Sequence, residues 1–145
     1  MTRSRRPGFS VAPLRRTAAS AAACAAVLGG CDYTERRLDG PYSLCAVDSE
    51  ETALCYDLSE DTRQGRVPPV VYAAGADARH VIAKRHPPGH RAVTEYYIVE
   101  RARDGRLADT AAVTGPLTAA GFAAARRRLG VAPSLGFTLV QRRLQ

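Results

Sequence analysis

The sequence lacks the long apolar stretches that membrane-spanning proteins need. No uninterrupted apolar run approaches the about 20 residues required by a spanning helix, which excludes a polytopic membrane protein. Tryptophan is absent as well, yet 46% of the residues are hydrophobic, which is too many for a chain that is disordered throughout. A length of 145 residues allows one domain rather than two.

Signatures of catalysis are also missing. The chain has no Gly-x-Ser-x-Gly motif, no His-Glu-x-x-His motif and no glycine-rich phosphate loop. A fold can still bring a serine, a histidine and an aspartate together from distant positions, so these absences argue against an enzyme without excluding one. We therefore name no catalytic and no cofactor-binding residue, and we prefer a protein without enzymatic activity.

The first thirty residues have the organisation of an export signal. Residues 1–16 carry five arginines and no acidic residue, whereas residues 17–30 carry no charge and are mostly alanine. A basic segment, a short apolar segment and small residues at its end are typical of a secretory signal peptide. The alternative, a buried alanine-rich helix, does not explain why arginines precede it and two glycines follow it.

A cysteine stands directly after this signal, in the motif Leu28-Gly29-Gly30-Cys31. The motif resembles the lipobox of bacterial lipoproteins, in which a leucine and two small residues precede an obligatory cysteine. The resemblance covers residues 1–31. It implies that a diacylglyceryl group is attached to the Cys31 thiol, that cleavage occurs just before Cys31, and that the lipid holds the protein at a membrane. The folded domain would then lie outside the cytoplasm, in the periplasm or on the cell surface.

The export route and the membrane are left open. The pairs Arg5-Arg6 and Arg15-Arg16 resemble a twin-arginine signal, but neither is followed by a strongly apolar pair, so Sec export is the default. An aspartate after the lipidated cysteine, here Asp32, resembles the inner-membrane retention signal of enterobacterial lipoproteins. That rule does not apply to all bacteria, so inner and outer membrane remain alternatives.

Removal of the signal changes the charge of the protein. The full chain has a formal net charge of +7, which suggests nucleic acid as a partner. Without residues 1–30 it keeps 16 basic residues against 14 acidic ones, a net charge of +2. We therefore predict no nucleic-acid binding.

The sequence after residue 30 predicts a short tether over residues 31–39 and one α+β domain over residues 40–145. An antiparallel meander of about five strands is predicted from alternating apolar residues in the first two strands, from tyrosine, isoleucine and valine in the last, and from the turn signals between strands. Residues 59–66 are predicted to be a polar loop, and residues 135–140 a further strand. The five strands are predicted at residues 41–47, 53–58, 70–74, 79–85 and 94–101.

One α-helix is predicted after the strands. Thr118 is a suitable N-cap, and Gly130 is suited to the residue after the helix. Phe122, Ala125 and Leu129 would share the buried face.

Two cysteines in the first predicted hairpin are expected to form a disulfide. If the turn is centred on Glu50, Cys45 and Cys55 lie directly opposite each other, within the distance that a disulfide needs. Once Cys24 is removed with the signal and Cys31 carries lipid, these are the two thiols that remain. Disulfides persist outside the cytoplasm, where a lipoprotein folds.

The three histidines are candidate metal ligands. His86 and His90 flank Pro87-Pro88-Gly89, and His80 precedes them on a predicted strand. Zinc requires three or four ligands, and Lys84 on the face shared with His80 would repel a cation. We therefore predict no metal site.

Residues 42–57 and 82–97 resemble the small uncharacterised lipoprotein domains of bacteria, a resemblance that implies no activity. The preferred interpretation is a lipid-anchored binding module that contacts another envelope protein or cell-wall material. The alternative is an envelope hydrolase, or an inhibitor of an envelope-acting enzyme.

Overall fold

A computed structural model describes residues 35–46 and 51–145. In these ranges the chain forms nine strands, one α-helix and two short 3₁₀ helices. Every paired strand runs antiparallel to its neighbour. The strands are β1 (Arg36–Asp39), β2 (Tyr42–Ala46), β3 (Thr52–Asp57), β4 (Arg63–Val67), β5 (Val71–Ala76), β6 (His80–Arg85), β7 (Glu95–Glu100), β8 (Val113–Leu117) and β9 (Leu139–Val140).

The first sheet is a four-stranded meander in the order β1-β2-β3-β4. Residues in its strands alternate between two faces, as a pleated strand requires. Tyr42, Leu44 and Leu54 point to the inner face and join the main core. Cys45 and Cys55 point to the outer face and form a small separate cluster with Ala53.

The second sheet has five strands in the order β8-β7-β6-β5-β9. Its central strands β6 and β7 are buried on both faces, which explains their rich content of valine, isoleucine and tyrosine. Val81 and Val99 contribute to the core between the sheets, whereas Ile82 and Ile98 pack on the side of the helix. The domain therefore has three layers: the first sheet, the second sheet and the helix.

The helix α1 (Ala119–Leu129) confirms the sequence prediction at both ends. The Thr118 Oγ1 accepts a hydrogen bond of 3.1 Å from the Gly121 N–H, which satisfies one of the free donors of the first turn. Gly130 ends the helix in the left-handed conformation, with φ +65°. Phe122 and Ala125 are the buried residues of the helix, and they pack against the second sheet.

The prediction of a single five-stranded meander is only approximately right. The α+β class holds, and each of the five predicted strands overlaps an observed one. The segments that contain β1, β4 and β8 are not among the predicted strands, and β1 lies within the segment expected to be a tether. In the described part of the chain, β4 and β5 do not pair with each other, and the strands therefore divide into two sheets rather than one.

Candidate functional site

The disulfide between Cys45 and Cys55 is present, as predicted, but the predicted register is wrong. Cys45 lies opposite Ala53, and Cys55 lies opposite Ser43. The register differs from the prediction by two residues, a shift that keeps each side chain on its original face. The cysteines are thus diagonal neighbours on the outer face, with 6.0 Å between their Cα atoms, a distance that suits a disulfide.

A groove opens beside this disulfide on the outer face of the first sheet. Its volume is about 490 Å³, within the range of small-ligand sites. We call it the disulfide groove. It is lined by Cys45, Ala46, Ala53, Cys55, Asp61, Arg63, Gly65, Arg66, Val67, Pro68 and Pro69.

The disulfide groove has an apolar floor and a charged rim. The floor consists of the disulfide and Ala53, all of which are buried. On the rim, Arg63 forms ion pairs with Glu35 and with Asp57, at 3.2 Å from its Nε to the Asp57 Oδ1. Asp61 adds a carboxylate to the groove. Such a surface can hold the apolar part of a small ligand on its floor while the rim orients the ligand's polar or charged part.

A fully buried ion pair lies behind the groove. The Arg66 Nε donates to both carboxylate oxygens of Asp104, at 2.7 and 2.8 Å, and an Nη atom donates to the Gly105 carbonyl. The Arg66 guanidinium also lies 4.8 Å from the centre of the Tyr56 ring. Arg66 sits at the bulge where β3 and β4 change register, which allows its side chain to turn inward.

Tyr42 completes this buried cluster. Its hydroxyl donates a 2.9 Å hydrogen bond to the Asp104 Oδ2, and its ring meets the Tyr56 ring edge to face at 5.3 Å. Burial raises the pKa of Tyr42 well above its usual value, and the hydrogen bond to Asp104 raises it further. The Tyr42 hydroxyl therefore stays protonated and acts as a donor, so the cluster connects the two sheets through fixed polar contacts.

The three histidines occupy different environments. His80 and His86 are buried, and His90 is exposed. The His86 ring stacks on Tyr72 with 4.4 Å between ring centres, and its Nδ1 lies 2.7 Å from the Val93 carbonyl oxygen. Among residues 35–46 and 51–145, no three histidine, cysteine or acidic side chains come close enough together to bind a metal.

The predicted lipid attachment site, Cys31, lies outside the described residues, and so does the predicted signal peptide over residues 1–30. In the part of the chain that the structure does describe, no helix combines the length and the apolar character needed to cross a membrane. Comparisons with protein-family models, with curated proteins and with solved structures found no match to the chain.

The sequence did not reveal the groove or the ion pair. Arg66 lies in the predicted polar loop and Asp104 lies outside every predicted strand and helix, and neither position indicates burial. Nothing local links two residues that are 38 positions apart. An arginine next to the apolar Val67 was the available signal, because an arginine at the end of a half-buried strand needs a carboxylate partner if it turns inward.

Proposed function

We propose that this chain is an exported lipoprotein, anchored through Cys31, whose folded part is a binding module of the cell envelope. The observation that carries the proposal is the disulfide between Cys45 and Cys55. Disulfides are rare in cytosolic proteins and persist in exported ones. The bond thus supports, from the folded domain, the same compartment that the lipobox motif suggests from the signal.

The composition of the disulfide groove favours binding over hydrolysis. Among the described residues that line it there is no serine, threonine or histidine, and both cysteine sulfurs are engaged in the disulfide. These lining residues therefore offer no nucleophile paired with a base, the arrangement that covalent catalysis requires. An apolar floor with a few charged groups at the rim is the usual composition of a binding site.

The anchor is tested by replacing the lipidated cysteine. We expect Cys31→Ser to accumulate as an uncleaved precursor that incorporates no labelled fatty acid in the native bacterium or a related host. Cys24→Ser is the matched control, since Cys24 lies in the signal and its loss should leave lipidation and cleavage intact. Fatty-acid label retained by Cys31→Ser would refute the lipoprotein assignment.

The binding role is tested by photo-crosslinking in intact cells. A photoreactive amino acid at position 61, on the groove rim, should give a discrete adduct with an envelope protein or with cell-wall material. The same group at the exposed position 91 serves as control, because Arg91 does not line the groove. Identical adduct patterns from both positions, or none from position 61, would contradict a ligand in the disulfide groove.

A further inference from the structure

Three arginines converge on a second concave surface, away from the disulfide groove. It has a volume of about 490 Å³ and lies where β1, an edge strand of the first sheet, approaches β9, an edge strand of the second. We call Arg36, Arg142 and Arg143 the arginine patch. The concavity is lined by Arg36, Val140, Gln141, Arg142 and Arg143.

The fold holds these arginines in place and directs them outward. Gln141 and Leu144 are both buried, whereas Arg142 and Arg143 between them are exposed. The backbone N–H of Gln141 donates to the Tyr72 carbonyl at 2.7 Å, and Leu144 packs against Tyr72. With both flanking residues fixed in this way, the two arginines between them must face solvent.

Arg36 joins this pair from the other sheet. It is exposed on β1, and its Nη1 donates a long hydrogen bond of 3.5 Å to the Val140 carbonyl. The acidic residues beside it pair with arginines elsewhere: Glu35 with Arg63, and Asp39 with Arg101. Within residues 35–46 and 51–145, no member of the arginine patch forms an ion pair, so the patch retains a positive charge.

We infer that the arginine patch binds the phosphate groups of anionic phospholipids in the membrane that carries the Cys31 lipid. The inference rests on the proposed function, because the anchor determines where the patch can reach. Cys31 precedes Arg36 by five residues, which span at most about 18 Å when extended. A lipid on Cys31 therefore keeps the arginine patch close to the headgroups throughout the life of the protein.

Guanidinium groups suit this ligand. They are always charged, and they bind phosphate oxygens through paired hydrogen bonds. Each arginine near an anionic surface increases the bound population about five-fold, and three of them act together here. Because the anchor holds the patch at the membrane at a high effective concentration of headgroups, even a weak headgroup interaction orients the domain on the membrane. The contact would present one side of the domain to the bilayer and leave the other available to a partner.

The test measures the reactivity of individual arginines. The lipidated protein is reconstituted in vesicles of phosphatidylcholine alone or mixed with phosphatidylglycerol. Phenylglyoxal modification is then followed at each arginine by mass spectrometry. On the anionic vesicles we expect Arg36, Arg142 and Arg143 to react at least about three-fold more slowly, and high salt to abolish the difference. Arg127 and Arg128, exposed on α1, should react equally on both vesicles.

A matched pair of variants tests whether the patch acts as a unit. Arg142→Ala/Arg143→Ala should abolish most of the slowing at Arg36, whereas Arg127→Ala/Arg128→Ala should leave it unchanged. Thermal unfolding verifies that both variants fold.

The possible failures are distinguishable. A mature chain whose intact mass shows no lipid would refute the anchor and, with it, the headgroup contact. A lipidated chain whose patch arginines react equally on both vesicles would refute the headgroup contact alone and leave the anchor standing. The assignment would also be overturned if the patch arginines reacted more slowly on the uncharged vesicles than on the anionic ones. Slowing of Arg127 on the anionic vesicles to the same extent as the patch arginines would overturn it too.

Discussion

Arg66 and Asp104 form an ion pair that is closed to solvent: 2.7 Å separates the Arg66 Nε from the Asp104 Oδ1, and the two side chains are 1% and 0% exposed. Arg66 belongs to β4 of the first sheet, and Asp104 follows β7 of the second. The pair therefore links the two sheets through a buried polar contact. Removing two charges from water is costly, so each group depends on its partner.

Removing either partner should be severely destabilising. Arg66→Ala and Asp104→Ala are each expected to lower the free energy of unfolding by about 3–5 kcal/mol, because each leaves an uncompensated buried charge. The double variant Arg66→Met/Asp104→Leu should recover part of this loss, since no charge is then left buried. Urea unfolding followed by circular dichroism measures all three.

An exposed pair provides the control for this prediction. The Arg103 Nη1 lies 3.4 Å from the Glu100 Oε1 on the surface, and Arg103→Ala should cost less than about 1 kcal/mol. If the double variant lost as much stability as the two single variants combined, buried charge would not be the cause of the loss.

The Tyr42 hydroxyl should contribute more to the free energy of unfolding than the hydroxyl of a tyrosine whose hydrogen-bond partner is neutral. Tyr42→Phe removes a hydrogen bond to the Asp104 carboxylate, and we expect a loss of about 1.5–3 kcal/mol. Tyr72→Phe is the matched control, since the Tyr72 hydroxyl lies 2.9 Å from the neutral Thr94 Oγ1 and should contribute about 0.5–1.5 kcal/mol. Equal losses in urea unfolding would show that the charge of Asp104 adds nothing.

The disulfide should stabilise the domain by restricting its unfolded state. The bond closes a loop with a sequence separation of 10, for which the chain-entropy model gives about 2–3 kcal/mol. The variant Cys45→Ala/Cys55→Ala should lose that amount in urea unfolding while keeping its fold. Intact mass before and after reduction checks the bond itself: no increase of two mass units would contradict a disulfide between these cysteines.

The sequence predicted the elements whose pattern is local. The strands β2 and β3 were recognisable because their apolar residues alternate, and β5, β6 and β7 because short apolar runs stand between turn signals. The helix α1 was recognisable because Thr118 and Gly130 mark its ends. The strands β1 and β4 were missed because their polar residues follow no period. They become strands because a neighbouring strand offers unpaired backbone groups, an influence that strand propensity does not capture.

The disulfide shows the same difference between what a local pattern predicts and what the rest of the fold decides. The sequence identified the pair of cysteines by elimination and placed them on a common hairpin, and this was correct. The register depended on where the turn was centred, and a different centre gives Cys45 another partner. The arginine patch was beyond sequence reasoning, because it joins β1 to residues more than a hundred positions later in the chain.

Gly75 should not tolerate a side chain. A Cβ added there would lie 1.8 Å from the carbonyl oxygen of Gly136, a backbone atom that cannot move alone. Gly75→Ala should therefore separate β5 from the segment that crosses it, at a cost of about 1–3 kcal/mol in the free energy of unfolding. Gly65→Ala, where an added Cβ meets nothing within 4 Å, should change it by less than about 0.5 kcal/mol. Equal stability of Gly75→Ala and Gly65→Ala would contradict the close approach of the Gly75 and Gly136 backbones.

Asp77 should make the stability of the β5–β6 hairpin depend on pH. Partial burial alone would raise the pKa of Asp77, but hydrogen bonds from the N–H groups of Arg79 and His80, at 2.8 and 2.7 Å, lower it overall. A carboxyl group with a lower pKa in the folded state than in the unfolded state favours folding at neutral pH. That contribution decreases as the pH falls below about 4 and is lost once the folded carboxyl is protonated.

Asp77→Asn tests this dependence directly. We expect the variant to be less stable than the wild type at pH 7, because it lacks the negative charge that the two N–H groups and the nearby Arg79 favour. The difference should shrink as the pH falls through the folded pKa of Asp77, since both proteins then carry an uncharged side chain there. Urea unfolding at a series of pH values measures the difference. A gap between the two proteins that stayed constant down to acidic pH would assign the effect to hydrogen-bond geometry rather than to charge.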